Sequence, residues 1–285
     1  MKKQAGVSRN PRAAVAAEAL ARAVAAGNGG DLAEAERIVR DVVTKNPQHG
    51  EALQLLGALL MAQRRPRDAI TPLEQAARLG GNAEVETHLA IALRDTGRSD
   101  DAIIWLYGAV ERQPGFPRAF QELGELLRKK RRYAEAEAVL KRGIDAAPTT
   151  PELSLLLGGV CLDRADPAGA KVAFARAVAI APGNTDALMG LGVALQYEGD
   201  FARAAERFRR VLAADPAHPR ARLNLGYCLM ELGHVDQGVA CLRTAVDAAP
   251  HTCGTALKML ISAGRGRFWF RRSAAAEYLG LKTKP

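Results

Sequence analysis

Apolar positions recur along this chain with the spacing of one helical face. A leucine followed by a small residue appears as Leu56-Gly57, Leu89-Ala90, Leu123-Gly124, Leu157-Gly158, Leu191-Gly192 and Leu225-Gly226, and four residues past each leucine stands Leu60, Leu93, Leu127, Cys161, Leu195 or Leu229. Offsets of one and four put these side chains on a single stripe of an α-helix, and the small residue leaves room for a neighbouring helix to approach. A second stripe follows each first one. It opens on Ala35, Ala69, Ala102, Ala136, Ala170, Ala204 or Gly238 and continues four residues later with Val39, Leu73, Leu106, Leu140, Phe174, Phe208 or Leu242. Between the stripes, Gly97, Gly199 and Gly233 mark the end of a helix, and Asp166-Pro167 supplies a cap with proline in the first turn.

The paired stripes keep one clock. Pro114, Pro148, Pro182, Pro216 and Pro250 lie 34 residues apart, Pro47 begins the series, and Gly81 stands where the next proline falls due. Self-similarity at this period is the mark of stacked helix-turn-helix units rather than of one bundle with a single core. The units run 16–49, 50–82, 83–116, 117–150, 151–184, 185–218 and 219–252. Unit one has Arg22-Ala23 in place of Leu-Gly, so its first helix is expected to be displaced, and unit two is one residue short.

These residues resemble the tetratricopeptide repeat (TPR) family over roughly 16–252. The resemblance implies an all-α, right-handed superhelical solenoid of seven repeats. Residues 1–15 are expected as a flexible N-terminal tail and 253–285 as a degenerate eighth unit or capping helices, with one helix over Thr255–Ala263 and a shorter one from Ser273 to about Leu279. Departures from the family pattern are local: of the aromatics common early in the first helix, only Phe120 is present.

Composition adds limits. Aromatics make up 5% of the 285 residues, which suits close helix-helix contacts better than a thick core. The formal charge of +9 attracts anionic partners weakly for a chain this long, and arginine outnumbers lysine about three to one, which looks like base composition in a bacterial genome more than selection for phosphate. The four cysteines, Cys161, Cys228, Cys241 and Cys253, have neither C-x-x-C nor metal-ligand spacing, and scattered single thiols fit a reducing cytoplasm. The five histidines lie mostly between helices, with no nucleophile or carboxylate motif beside them. The reading is a cytoplasmic protein that is not an enzyme and needs no cofactor or metal.

By the resemblance, the face of each first helix opposite the Leu-Gly stripe lines a concave surface where partner peptides lie. In units two to four that face carries mostly polar residues: Gln54, Thr87, Gln121, Glu125 and Lys129, with Met61 and Ile91 as exceptions. Units five to seven place Leu155, Leu162, Met189, Val193, Tyr197, Leu223, Tyr227 and Met230 there, beside Asn224, an amide that can both donate to and accept from a peptide backbone. A contiguous apolar face of this kind marks binding, and the leading reading is a scaffold or adaptor holding a peptide or helix of another protein. Packing of these side chains against the preceding unit, or against a second copy of the chain, is the plainer alternative. A second functional reading, nucleic acid or anionic membrane, rests on Arg128, Lys129, Lys130, Arg131 and Arg132 and on the basic-aromatic stretch 265–272. A solvated turn and a packed end cap are the ordinary uses of such runs.

Overall fold

A computed structural model describes residues 11–112, 115–264 and 272–280. Among them the chain is helical throughout, with no strand. It divides into two compact units, 1–131 and 132–285. The first holds α1 (Pro11–Asn28), α2 (Leu32–Lys45), α3 (Gly50–Ala62), α4 (Pro66–Arg78), α5 (Ala83–Asp95), α6 (Ser99–Glu111) and α7 (Pro117–Lys129). The second holds α8 (Tyr133–Ala146), α9 (Pro151–Asp163), α10 (Pro167–Ile180), α11 (Thr185–Tyr197), α12 (Phe201–Ala214), α13 (Pro219–Glu231), α14 (Val235–Ala248), a 3-10 turn at Pro250–Thr252, α15 (Cys253–Ser262) and α16 (Arg272–Tyr278). Residues 11–15, assigned to the tail on sequence, are already helical, because α1 starts early. Its far end keeps the clock, with Gly30 turning 34 residues before Arg64.

Within each unit consecutive helices pack pairwise, and first helices also lie side by side, α3, α5 and α7 in the first unit and α9, α11, α13 and α15 in the second, as a solenoid requires. The small residue after the leucine makes this geometry. A methyl carbon on Gly192 would sit 2.6 Å from Phe208 Cε1, one on Gly158 2.7 Å from Phe174 Cε1, and one on Gly57 inside the Leu73 side chain. Phe174 also fills the space beside Gly190, so one ring wedges against two first helices, α9 and α11. Phe208, Leu73, Leu106 and Leu140 are fully buried at this same place in the repeat. Each such side chain contributes roughly 1.5–3 kcal/mol by leaving water.

The turn inside each pair is as regular as the packing. Gly30, Arg64, Gly97, Arg131, Ala165, Gly199 and Gly233 all have positive φ, from 59° to 90°. In the turn at Gly199, its N–H donates to the Gln196 carbonyl at 3.0 Å and the Asp200 N–H to the Leu195 carbonyl at 2.9 Å. These are the two closing bonds of a Schellman motif, which satisfies carbonyls that the helix end leaves bare. Helix starts are capped in turn: Asp31, Asn82, Asp166, Asn184 and Asp200 accept backbone N–H groups through side-chain oxygens, and His49 and His218 do so through Nδ1.

Two buried carboxylates in the first unit escape the apolar pattern. Glu86 is paired with Arg112, and Glu36 with Arg65 and Arg40. Each replaces part of a hydrophobic contact by a charge that must stay paired.

The second unit is closed at its end. Ala256, Leu260, Ala275 and Leu279 join Leu242 and Val246 in one cluster, and Arg243 donates to the Tyr278 carbonyl while its guanidinium sits 5.4 Å from the Tyr278 ring. The aromatic residues expected in that cap, Phe268, Trp269 and Phe270, lie outside the described residues.

Two outcomes follow from the packing and the turn. Gly192→Ala is expected to cost roughly 1–3 kcal/mol, because Phe208 has no free volume to retreat into. Gly254→Ala, with nothing within 4 Å of the added carbon, is expected to cost nothing, and urea denaturation that ranks the two equally would refute the wedge. In the turn, Ala165→Gly removes a left-handed strain of roughly 1–2 kcal/mol and adds unfolded-chain entropy of roughly 0.5–1 kcal/mol. The net expectation is a gain of about 0.5–1 kcal/mol, visible as a higher urea midpoint; a lower midpoint would mean that the turn holds no strain.

Candidate partner-binding groove

In the second unit, α11, α13 and α15 set three first helices side by side. Their shared face encloses a hollow of about 470 Å³ lined by Val193, Gln196, Tyr197, Arg220, Leu223, Asn224, Tyr227, Thr255, Lys258, Met259 and Ser262. Five of the nine residues expected in the groove are therefore brought together: Val193, Tyr197, Leu223, Asn224 and Tyr227.

The others are placed elsewhere, and the helix period explains why. Residues two before and five after the Leu-Gly leucine lie on one flank of the opposite face, at about 140–160° from the leucine, while those two and six after it lie on the other flank. The first flank is the more covered one in α11 and α13. Met230 is fully buried against Gly238 of α14, Met189 is 8% exposed and Leu223 is 3% exposed. Met230 and Met189 belong to the core, and Leu223 reaches the hollow only as its buried floor. Thr87, on the same flank in the first unit, is also buried, and its hydroxyl donates to the Ala83 carbonyl at 2.5 Å. Leu155 and Leu162 are half-buried on α9 and do not line the hollow.

The second flank faces out. Tyr197 is 73% exposed, the most exposed of the large apolar side chains described. Tyr227 is half-buried: its ring meets Phe201 edge-on at 6.0 Å, and burial, with Glu231 beside it, raises its hydroxyl above the ordinary tyrosine range. The Asn224 side-chain amide has no partner among the described residues, while its backbone carbonyl accepts from Gln196 Nε2 at 3.3 Å. Six lining residues were not anticipated: Gln196, Arg220, Thr255, Lys258, Met259 and Ser262. Two carried a legible signal. Arg220 stands four residues before Asn224 on one helical face, and Lys258 stands 34 residues after it, at the equivalent place in α15.

The first unit treats the same face differently. Gln54 donates to Glu84 at 3.4 Å, Arg94 pairs with Glu122, and Lys129 pairs with Glu125 at 2.6 Å. Burial raises Glu122 despite Arg94 and Arg118 beside it, and burial lowers His88. A larger hollow of about 1470 Å³, with a mixed polar and apolar lining, lies where the turns after α2 and α4 approach α1, lined by Val15, Arg22, Lys45, His49, Leu79 and Asn82 among others. Of the basic run, Lys130 pairs with Asp100 and Arg132 with Glu135, both at 2.7 Å, and Arg131 holds the left-handed turn. These cations are largely matched by carboxylates. The companion stretch 265–271 lies outside the described residues, as do the side chains of 272–274. Cys228 is pushed up to about 12 and Cys161 is raised, both chiefly by burial, so neither thiol is a nucleophile near neutrality. No helix among the described residues is long and apolar enough to cross a membrane.

Paired helices on a fixed clock, with first helices lining one face, define a helical-repeat scaffold. The chain belongs to the tetratricopeptide repeat family, whose sequence models match residues 20–84, 55–117, 122–185 and 195–263. Proteins of this family mediate protein–protein interactions. No curated protein matches the chain. Solved structures with the same fold include YrrB, described as a TPR protein with an unusual peptide-binding site, at 24% identity and a TM-score of 0.56 over 62% of this chain and 91% of that one. The C-terminal part of a TPR protein from Cytophaga hutchinsonii gives a TM-score of 0.67 at 14% identity, covering 85% of this chain and 99% of that one. PilW, described as a widely conserved type IV pilus biogenesis factor, gives 0.63 at 18% identity, covering 73% and 97%. At these identities the likeness establishes the fold.

The division of the face is testable by truncation. Met230→Ala is expected to lose roughly 2–5 kcal/mol of stability, as a fully buried side chain, and Tyr197→Ala to change it by less than about 0.5 kcal/mol. Denaturant unfolding that finds Met230→Ala harmless would return that residue to the groove.

Proposed function

We propose that the chain is an interaction scaffold that holds a segment of a partner protein in the groove of its second unit. The observation that carries this reading is Tyr197: a large aromatic side chain left 73% exposed at the rim of a hollow whose floor is apolar. Tyrosine brings apolar area and a hydroxyl at low entropic cost, and such residues dominate binding energy where they become buried. Asn224 adds an amide, without a partner among the described residues, that can both donate to and accept from a bound backbone. The peptide-binding site described for YrrB supports the reading by analogy of fold. The reading is of a binding protein, without a cofactor and not an enzyme, and four free cysteines favour a reducing, cytoplasmic setting. The basic run 128–132 is left as a structural turn, since Lys129, Lys130 and Arg132 are paired with carboxylates.

Capture of partner from an extract of the native host tests this. The double variant Tyr197→Ala/Asn224→Ala is expected to keep its melting temperature and lose capture by about 30-fold or more, given roughly 2 kcal/mol for a tyrosine hot spot. Arg131→Glu/Arg132→Glu is expected to capture normally. Retention by the groove variant together with loss in the charge-reversed one would overturn the reading in favour of an anionic partner.

A further inference from the structure

One buried acid in the first unit is only half satisfied. Glu86 is 5% exposed, and its Oε1 accepts from the Arg112 guanidinium, but its Oε2 is buried with no hydrogen-bond partner among the described residues. An ionised oxygen taken out of water without a donor is costly, so a second donor belongs beside it. Gly108 on α6 marks where that donor would stand. A methyl carbon there would sit 3.5 Å from Glu86 Oε2, in ordinary contact, and the glycine is exposed.

The repeat shows what usually fills this place. Six residues after the small residue that opens each second stripe stand Gln75, Arg142, Arg176 and Arg210, all long side chains with N–H donors, and Gly108 is their equivalent. Arg176 and Arg210 donate to the Pro148 and Pro182 carbonyls at 3.4 and 2.8 Å. The acid is as unusual as the glycine, since Leu53, Phe120 and Leu188 hold the place of Glu86 in other pairs. The third pair therefore gains a buried carboxylate and loses the donor side chain beside it. Ile104, 69% exposed, and half-buried Trp105 stand one turn before Gly108 on α6. We propose that this exposed face of α6 is a docking site, separate from the groove of the second unit, for a lysine or arginine side chain of another protein. The cation would donate to Glu86 Oε2 beside Gly108, in the place that an arginine of the chain itself takes in later pairs, and its aliphatic stem would cover Ile104 and Trp105. Charge-assisted bonds to a carboxylate are the strong class, and an indole face adds attraction for a cation. The exposed isoleucine favours a protein over a free amine, which would leave that apolar surface in water.

The probes are fluorescein-labelled 12-residue peptides that alternate Lys or Arg with Leu, and a matched set with glutamine at every charged position. Fluorescence anisotropy with the full chain is expected to show the cationic set binding at least ten-fold more tightly than the glutamine set. Gly108→Arg, which supplies the cation from within the chain, is expected to weaken the cationic set at least ten-fold. It is also expected to melt about 2 °C or more above Gly108→Gln, whose helix propensity is nearly the same. Adding Glu86→Gln to both variants is expected to remove that difference. Tyr197→Ala, in the groove, is expected to bind the cationic set normally. Equal melting of Gly108→Arg and Gly108→Gln would overturn the proposal, and so would a melting difference that survives Glu86→Gln. Binding of the cationic set that persists in Gly108→Arg, or that is lost in Tyr197→Ala, would overturn it as well, as would failure of that set to bind. Displacement of the peptide by an equal concentration of 1,5-diaminopentane would assign the site to free amines and overturn the protein occupant.

Discussion

Everything in this structure depends on one contact repeated at a fixed interval: a residue with little or no side chain on a first helix, against a large apolar side chain on the helix that follows. Gly57 meets Leu73, Gly158 meets Phe174 and Gly192 meets Phe208. Close approach lets a thin layer of side chains exclude water, so a chain with few aromatics can be held together by unit-to-unit packing in place of one deep core. In the last full pair the large partner, Leu242, is joined by backbone. Gly226 faces the backbone carbonyl of Gly238 at 2.8 Å from the position of an added carbon, and Met230 fills the space that a larger residue at 238 would occupy.

That contact also determines what the opposite face can do. Once a first helix is fixed against its own partner and against the next first helix, only one flank of its remaining surface stays open. The two units use the face opposite the stripe differently. In the first, Gln54, Arg94 and Lys129 are satisfied by acids of the same unit. In the second, the side chains of Tyr197, Asn224, Arg220 and Lys258 have no hydrogen-bond or ion-pair partner among the described residues. Side chains left open in this way are what the proposed partner would meet, and here several share one hollow.

How much of this could be read from the residues varies with the kind of signal. The helix pairs were legible because leucine, glycine and proline recur on a clock that no single local preference can imitate. The left-handed turns were legible where glycine fills them, at 97, 199 and 233, and hidden where Arg64, Arg131 and Ala165 do, since those residue types carry no turn signal of their own. The groove was half legible. Periodicity separates the stripe from its opposite face, but it does not say which flank of that face a neighbouring helix covers, and so Met189 and Met230 were placed in the open when packing buries them. Arg220 and Lys258 were overlooked because charge on a helix is the ordinary state of a solvated surface. Their place beside the hollow appears only when the fold shows that no acid among the described residues lines it with them.

The central claim is that contact with the groove's partner is confined to the groove flank of the second unit. A photo-crosslinking amino acid installed at Tyr197, and separately at Val172, tests it most directly. The two positions are nearly equally exposed, at 73% and 68%, but Val172 lies on the second helix of its pair and outside the hollow. The account predicts a crosslinked adduct of defined mass from position 197 and none from position 172. Equal crosslinking from both positions, or crosslinking from 172 alone, would contradict it.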